Sequence, residues 1–102
     1  MSTTIVEKQG SNLTVYPKGR LDTVSSPVLE QELKQYLDDV ENVTMDFAEV
    51  DYITSGGLRV LLAADQILEE RGGNLRVIHV NEHILEVFQL VGFMEIVDVE
   101  ES

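Results

Sequence analysis

The chain has 102 residues, 43% of them hydrophobic and 25% charged, which suits one folded core and is too short for two ordinary domains. Nineteen acidic residues against seven basic ones give a formal charge of -12, a sign that repels nucleic acid and anionic lipid and favours a basic partner. Cysteine is absent, which removes disulfides, thiolate metal ligands and thiol catalysis together.

The amino-terminal residues Met1 to Glu7 show no basic region followed by an apolar core, so no secretory signal is expected. No apolar run approaches the roughly 18 residues of a membrane-spanning helix, and a cytoplasmic location without membrane insertion is the expectation. Thr4 to Lys8 and Asn12 to Tyr16 read as two short strands joined by a turn at Gln9-Gly-Ser. Leu13 and Val15 alternate with Thr14 and Tyr16, as a strand with one more buried face requires. Pro17 and Gly19 interrupt that strand. Ser26-Pro27 predicts a helix start, with serine as cap and proline at the first helical position, and Leu29, Leu33, Tyr36 or Leu37, and Val40 carry its apolar face.

Val43 to Phe47 reads as a strand with Val43, Met45 and Phe47 on one side and Asp46 on the other or near its end. A corner at Thr54-Ser55-Gly56-Gly57 leads into a helix in which Leu58, Leu61, Leu62, Asp65 and Leu68 trace a face broken by one acid, widened by Val60, Ala64 and Ile67. Gly72-Gly73 ends it. Leu75 to Val80 predicts a strand buried on both faces, Glu82 to Val91 a short helix stopped by Gly92, and Met94 to Val99 a last strand. The order β-β-α-β-α-β-α-β predicts an α/β domain spanning residues 1–102, with a mixed, mostly parallel sheet and adjacent helices that cover one face or both.

Ser55 is the residue of greatest chemical interest. Its hydroxyl sits near the amino end of a helix, where unpaired backbone donors can hold an anion such as an added phosphate. Gly56 and Gly57 leave room for a partner's active site to approach, while a simpler account has Thr54 or Ser55 capping the helix and the glycines permitting a tight bend. Asp22, Asp46 and Asp51 fall at junctions of strands with helices or turns. Acids gathered near Ser55 would sharpen the contrast between modified and unmodified surfaces, although each alone reads as a solvated turn residue.

A small-molecule hydrolase is the enzymatic alternative, but Ile53-Thr-Ser-Gly-Gly57 lacks the Gly-x-Ser-x-Gly elbow. His79 and His83 do not form His-Glu-x-x-His, and no nucleotide fingerprint, metal-ligand set or basic aromatic stripe is present. Lys18, Arg20 and Arg59 are scattered cations that can touch an anion. The residues therefore imply no cofactor, no metal and no catalytic group.

Gly19-Arg-Leu-Asp22, Met45-Asp-Phe, Val50-Asp-Tyr-Ile-Thr-Ser-Gly-Gly-Leu58 and Val60-Leu-Leu resemble the STAS family, especially the bacterial anti-sigma factor antagonists of the stage II sporulation AA type. The resemblance covers nearly the whole chain. It implies a non-enzymatic, partner-switching regulator with Ser55 as phosphoacceptor and Asp22, Asp46, Thr54, Gly56, Gly57 and Leu58 around the partner-binding face. In such a family the unphosphorylated antagonist engages an anti-sigma factor that is also a serine kinase, phosphorylation weakens that complex, and a PP2C-type phosphatase restores it. ATP and magnesium belong to the kinase. Against the usual Asp-Ser-Ser-Gly-Leu, Thr54 replaces the acid and Gly56 the second serine, and Arg20 replaces a glutamate; these changes fit a divergent pathway. The alternative within the family is a constitutive STAS protein-interaction module in which Ser55 is structural.

Overall fold

The computed structural model describes residues 5–101. Strand β1 (Ile5–Gln9) turns at Gly10, φ 62°, into antiparallel β2 (Asn12–Tyr16); the glycine supplies the left-handed backbone that the turn needs. There follow β3 (Lys18–Leu21), α1 (Ser25–Lys34), β4 (Asn42–Asp46), β5 (Glu49–Ile53), α2 (Ser55–Glu70), β6 (Asn74–Val80), α3 (Glu82–Leu90), a 3₁₀ turn (Phe93–Glu95) and β7 (Asp98–Glu101). The main sheet has the order β1-β2-β4-β6-β7, parallel everywhere except at the β1–β2 hairpin. That is the mixed, mostly parallel sheet with adjacent helices that the pattern predicts. Thr4, expected to begin the first strand, lies outside the described residues.

Which face the helices cover is now decided. Leu13, Val15, Val43, Met45, Leu75 and Val77 are buried with Leu29 and Leu33 of α1, Leu61 and Leu68 of α2, and Ile84 and Phe88 of α3 in one core. Thr14, Thr44 and Arg76, paired side by side across β2, β4 and β6, stand on the other face, half-buried or exposed, and the alternation of burial follows the strand period. Phe47, Phe88 and Phe93 close one end of the core, with ring centroids 6.4 Å and 4.4 Å apart along that series.

Several local expectations are corrected. Lys18 to Leu21 is a strand, not a break: β3 pairs in parallel with β5 as a second, two-stranded sheet. Ser26 does not cap α1, because it lies inside the first turn and is buried; the Asp22 carboxylate takes the amides of Val24 and Ser25 at 3.0 Å each. Helix α1 stops at Lys34, although Leu37 and Val40 beyond it are still buried. On α2, Leu62 and Ile67 are exposed, and Val91 beyond α3 is exposed as well. Strand β6 is covered on one face only, since Arg76 and His79 are exposed; His79 has φ 57° at the register shift against β7, and this left-handed residue returns Val80 to the buried side. The final strand begins at Asp98, Met94 being taken up by the 3₁₀ turn.

The glycine stops stand as expected. Gly72 has φ 82°, and the amides of Gly72 and Gly73 bond the carbonyls of Glu69 and Leu68 at 3.0 and 2.8 Å, the Schellman pattern of a helix end. Gly92 has φ 71° and ends α3.

Asp65 is only 4% exposed on the buried face of α2. Burial, helped by the charge of Glu69, pushes its carboxyl above the ordinary 3.8, while a hydrogen bond from the Leu75 backbone pulls the other way. A raised folded pKa means that the native state holds the proton longer than the unfolded chain. Stability therefore falls as pH rises from 3.8 through the raised value, and the full penalty is present above it. Asp65→Asn keeps an acceptor for Leu75 without the charge. It is expected to raise the thermal midpoint at pH 7, with the gain fading toward pH 4, a trend that paired melting curves across that range will check.

Candidate functional site

The two short strands of the second sheet end side by side, and their ends build the corner. Leu21 closes β3 and Ile53 closes β5, the two being paired in register. The Leu21 carbonyl accepts both the Thr54 amide at 2.9 Å and the Thr54 hydroxyl at 3.2 Å. Thr54 holds the cap position of α2 with an extended backbone, yet its side chain bonds no helix amide. The simple capping account thus does not describe Thr54; its hydroxyl ties strand to strand.

Ser55 is the first residue of α2 and is exposed. Gly56 and Gly57 play different parts. A Cβ on Gly57 would lie 2.7 Å from Ile53 Cγ1 and 3.0 Å from both Leu21 Cβ and the Leu21 carbonyl oxygen, so this buried glycine is the spacer that lets α2 sit against the strand ends. A Cβ on Gly56 would meet Ser26 Oγ and Thr54 Oγ1 at 3.6 Å and the Asp22 carbonyl at 3.7 Å, all ordinary contact. Gly56→Ala is accordingly expected to stabilise the protein by up to about 1 kcal/mol through lost backbone freedom of the unfolded chain, and Gly57→Ala to destabilise it by about 1–3 kcal/mol through overpacking. Urea denaturation of the two variants will read the opposite signs.

Asp22 lies at the start of the β3–α1 loop. The Ser25 backbone amide first, then that of Val24, holds its carboxyl below the ordinary aspartate range, with the Ser25 hydroxyl and Arg20 adding to the effect against desolvation. Ser25 Oγ, 3.2 Å from that carboxylate, also takes the Asp22 amide at 3.0 Å. The Asp22 carboxylate is therefore fixed against the Val24 and Ser25 amides, while its main-chain carbonyl lies near Gly56. Leu58 is half-buried against the core, its amide bonded to the Thr54 carbonyl at 3.0 Å.

Asp46 is engaged elsewhere. Its carboxylate takes the Ala48 amide at 3.0 Å and faces Nδ1 of His79 at 2.9 Å, at the end of β4 on the bare side of the sheet. Asp51 is exposed on β5. Arg20 lies 5.7 Å over the ring of Tyr52, which stacks on His83 at 5.4 Å. The structure thus gathers Asp22, Thr54, Ser55, Gly56, Gly57 and Leu58, and gives Asp46 different partners. Among the described residues no group of three acidic or histidine side chains is placed to hold a metal ion.

Two contributors escaped the sequence reading. Ser25 completes the Asp22 turn, a role that the Asp22-Thr-Val-Ser25 spacing does signal. Ser26 lies across from Gly56 and, with Thr23, Pro27, Glu30, Arg59 and Val60, lines a cleft of about 240 Å³ between the first turns of α1 and α2.

Strand ends and a helix start of this kind, on a mixed sheet, make a small α/β domain with an exposed serine at the corner. Residues 5–98 match the family described as Mlab, STAS domain. The chain belongs to the STAS domain family, within its bacterial anti-sigma factor antagonists. It is 26% identical over 94 residues to the anti-sigma-B factor antagonist of Bacillus subtilis, covering 92% of this chain and 86% of that one. BtrV of Bordetella bronchiseptica, provisionally named in the same class, is 35% identical over 86 residues, with 83% and 74% coverage. Among solved structures, the anti-sigma factor antagonist SpoIIAA of Bacillus superposes with TM-score 0.84 in its unphosphorylated form and 0.76 in its phosphorylated form. It is 16% identical; the superpositions cover 95% of this chain and 87% and 90% of SpoIIAA, a likeness of fold.

Proposed function

We propose that this anti-sigma factor antagonist is a partner-switching regulator: unmodified, it binds an anti-sigma factor that is a serine kinase, and phosphorylation of Ser55 weakens that complex. The observation that carries the reading is the exposure of Ser55 at the first position of α2. A kinase can reach that hydroxyl without unfolding the domain. SpoIIAA, solved with and without phosphate, is a fold relative in which such a modification exists.

The chemistry is the partner's. Ser55 Oγ forms the new bond to the γ-phosphorus of a nucleoside triphosphate held by the kinase, the bond to the bridging oxygen breaks, the nucleoside diphosphate leaves, and a base of the kinase takes the hydroxyl proton. This chain supplies acceptor and docking surface and is not itself an enzyme. Asp22, Thr54, Gly56 and Leu58 form the surface around the acceptor, Gly57 sets its height above the strands, and a PP2C-type phosphatase resets the switch. The phosphate adds about -1.5 to -2 charge to a protein already at -12. Where the docked partner closes over Ser55 with no cation to meet it, that charge and its bulk are desolvated unpaired, which weakens the complex.

The test is a binding series by calorimetry with a kinase of this class, using unmodified protein, protein phosphorylated at Ser55, and S55A. The switch requires the phosphorylated form to bind more weakly than the other two. Equal affinities across the series would instead identify a constitutive interaction module.

A further inference from the structure

The cleft at Gly56, next in sequence to Ser55, holds an unused donor. Ser26 is 2% exposed, and its Oγ is buried without a hydrogen-bond partner, an arrangement that leaves a desolvated hydroxyl uncompensated. Ser26 lines the cleft, and its oxygen lies 3.6 Å from where a Cβ on Gly56 would stand. On the opposite wall stands Arg59, exposed and in no ion pair among the described residues. At about 100° per residue around a helix, Arg59 lies one turn above Ser55 and between the directions of Ser55 and Gly56. Residues four apart on a helix are neighbours.

We propose that this cleft is an internal receptor for the phosphate of Ser55, with Arg59 pairing with the dianion and Ser26 donating a hydrogen bond across the gap left by Gly56. The proposal rests on Ser55 being the modified residue. Four features support it together: a guanidinium suited to phosphate, a buried hydroxyl without an acceptor, the amino end of α2, and a volume of about 240 Å³ open to the solvent. Glu30, on the same wall as Ser26, opposes the phosphate. Its repulsion orients the phosphate toward Arg59. The modified serine would then be held against its own domain, adding order to the first turn of α2 as well as charge to the surface.

The test uses full-length protein with phosphoserine incorporated at position 55 during synthesis, so that it does not depend on any kinase. Phosphorus NMR is expected to show the phosphate of the wild-type background titrating at lower pH than in R59Q, with E30Q moving the midpoint lower still. Phosphorylation should also raise the thermal midpoint by about 2–4 °C more in the wild type than in R59Q. Ser26→Ala should leave the unmodified protein as stable as before, or slightly more so, and remove part of the phosphate-dependent gain. Identical midpoints in wild type, R59Q and E30Q would overturn the receptor. If those midpoints coincide while phosphorylation still weakens kinase binding, the switch stands without an internal receptor. If they separate while kinase affinity is unchanged, the receptor stands and the switch falls.

Discussion

Gly73→Ala is expected to destabilise the fold by about 3 kcal/mol or more, a loss at the severe end for one methyl group. A Cβ at this position would stand 1.6 Å from the carbonyl oxygen of Glu41. That oxygen is main chain and cannot turn aside as a side chain would. It also accepts the Asn74 amide at 3.0 Å, at the point where Asn42 and Asn74 set the register of β4 against β6. Relief of the clash must therefore move two neighbouring strands or break the helix end that Gly73 closes on Leu68. Gly72→Ala is the control. Its φ is 82° but nothing lies within 4 Å of its Cβ position, so the cost is the left-handed backbone alone, about 1 kcal/mol. Thermal melts should show a fall of about 12–24 °C for Gly73→Ala and a much smaller one for Gly72→Ala.

Phosphorylation of Ser55 is expected to weaken binding of the kinase partner by about 30-fold or more. An unmatched charge inside a docked surface costs about 2 kcal/mol at the low end. Most of the change should appear as faster dissociation, because the acceptor lies where contact is closest, while the salt dependence should be modest. S55A deletes a hydroxyl without adding charge and should bind within a few-fold of the unmodified protein. Surface plasmon resonance on the three forms separates the rates. A phosphorylated protein that dissociates no faster than S55A would leave the switch without its physical basis.

The elements legible from sequence are those whose signal is local. Gly72-Gly73 and Gly92 mark helix ends because only the backbone beside them matters, and Leu13 and Val15 announce their strand by simple alternation. β3 and β5 were not legible: Lys18-Gly-Arg-Leu21 and Glu49-Val-Asp-Tyr-Ile53 are short and interrupted by charged residues, and pairing with each other makes them strands. β6 misled because its apolar residues are closely spaced; the left-handed turn at His79 changes the phase of alternation and keeps Leu75, Val77 and Val80 on one side. At α1 the Ser26-Pro27 signal misplaced the start by a residue or two, because the Asp22 carboxylate holds the Val24 and Ser25 amides and brings Ser26 inside the first turn.

The corner shows the same division. A small-residue turn before an apolar helix is visible in the letters Thr54 to Leu58, and it places Ser55 where the structure has it. Which glycine is crowded and which is open was not visible. That difference is made by Ile53 and Leu21, which crowd Gly57 alone, Leu21 being brought to the corner by the pairing of β3 with β5. Asp46 shares a strand-end position with the corner residues in the sequence, but its contact to His79 depends on the β4–β6 register.

The double acceptor at Leu21 has a mechanical consequence. Because one carbonyl grips both the amide and the hydroxyl of Thr54, the terminus of β3 and the start of α2 are displaced as one piece. If Ser55 is the phosphoacceptor proposed above, a kinase meets it on a braced knuckle and not on a loose thread, so that selectivity among kinases would fall on the shape of that knuckle more than on the letters around the acceptor.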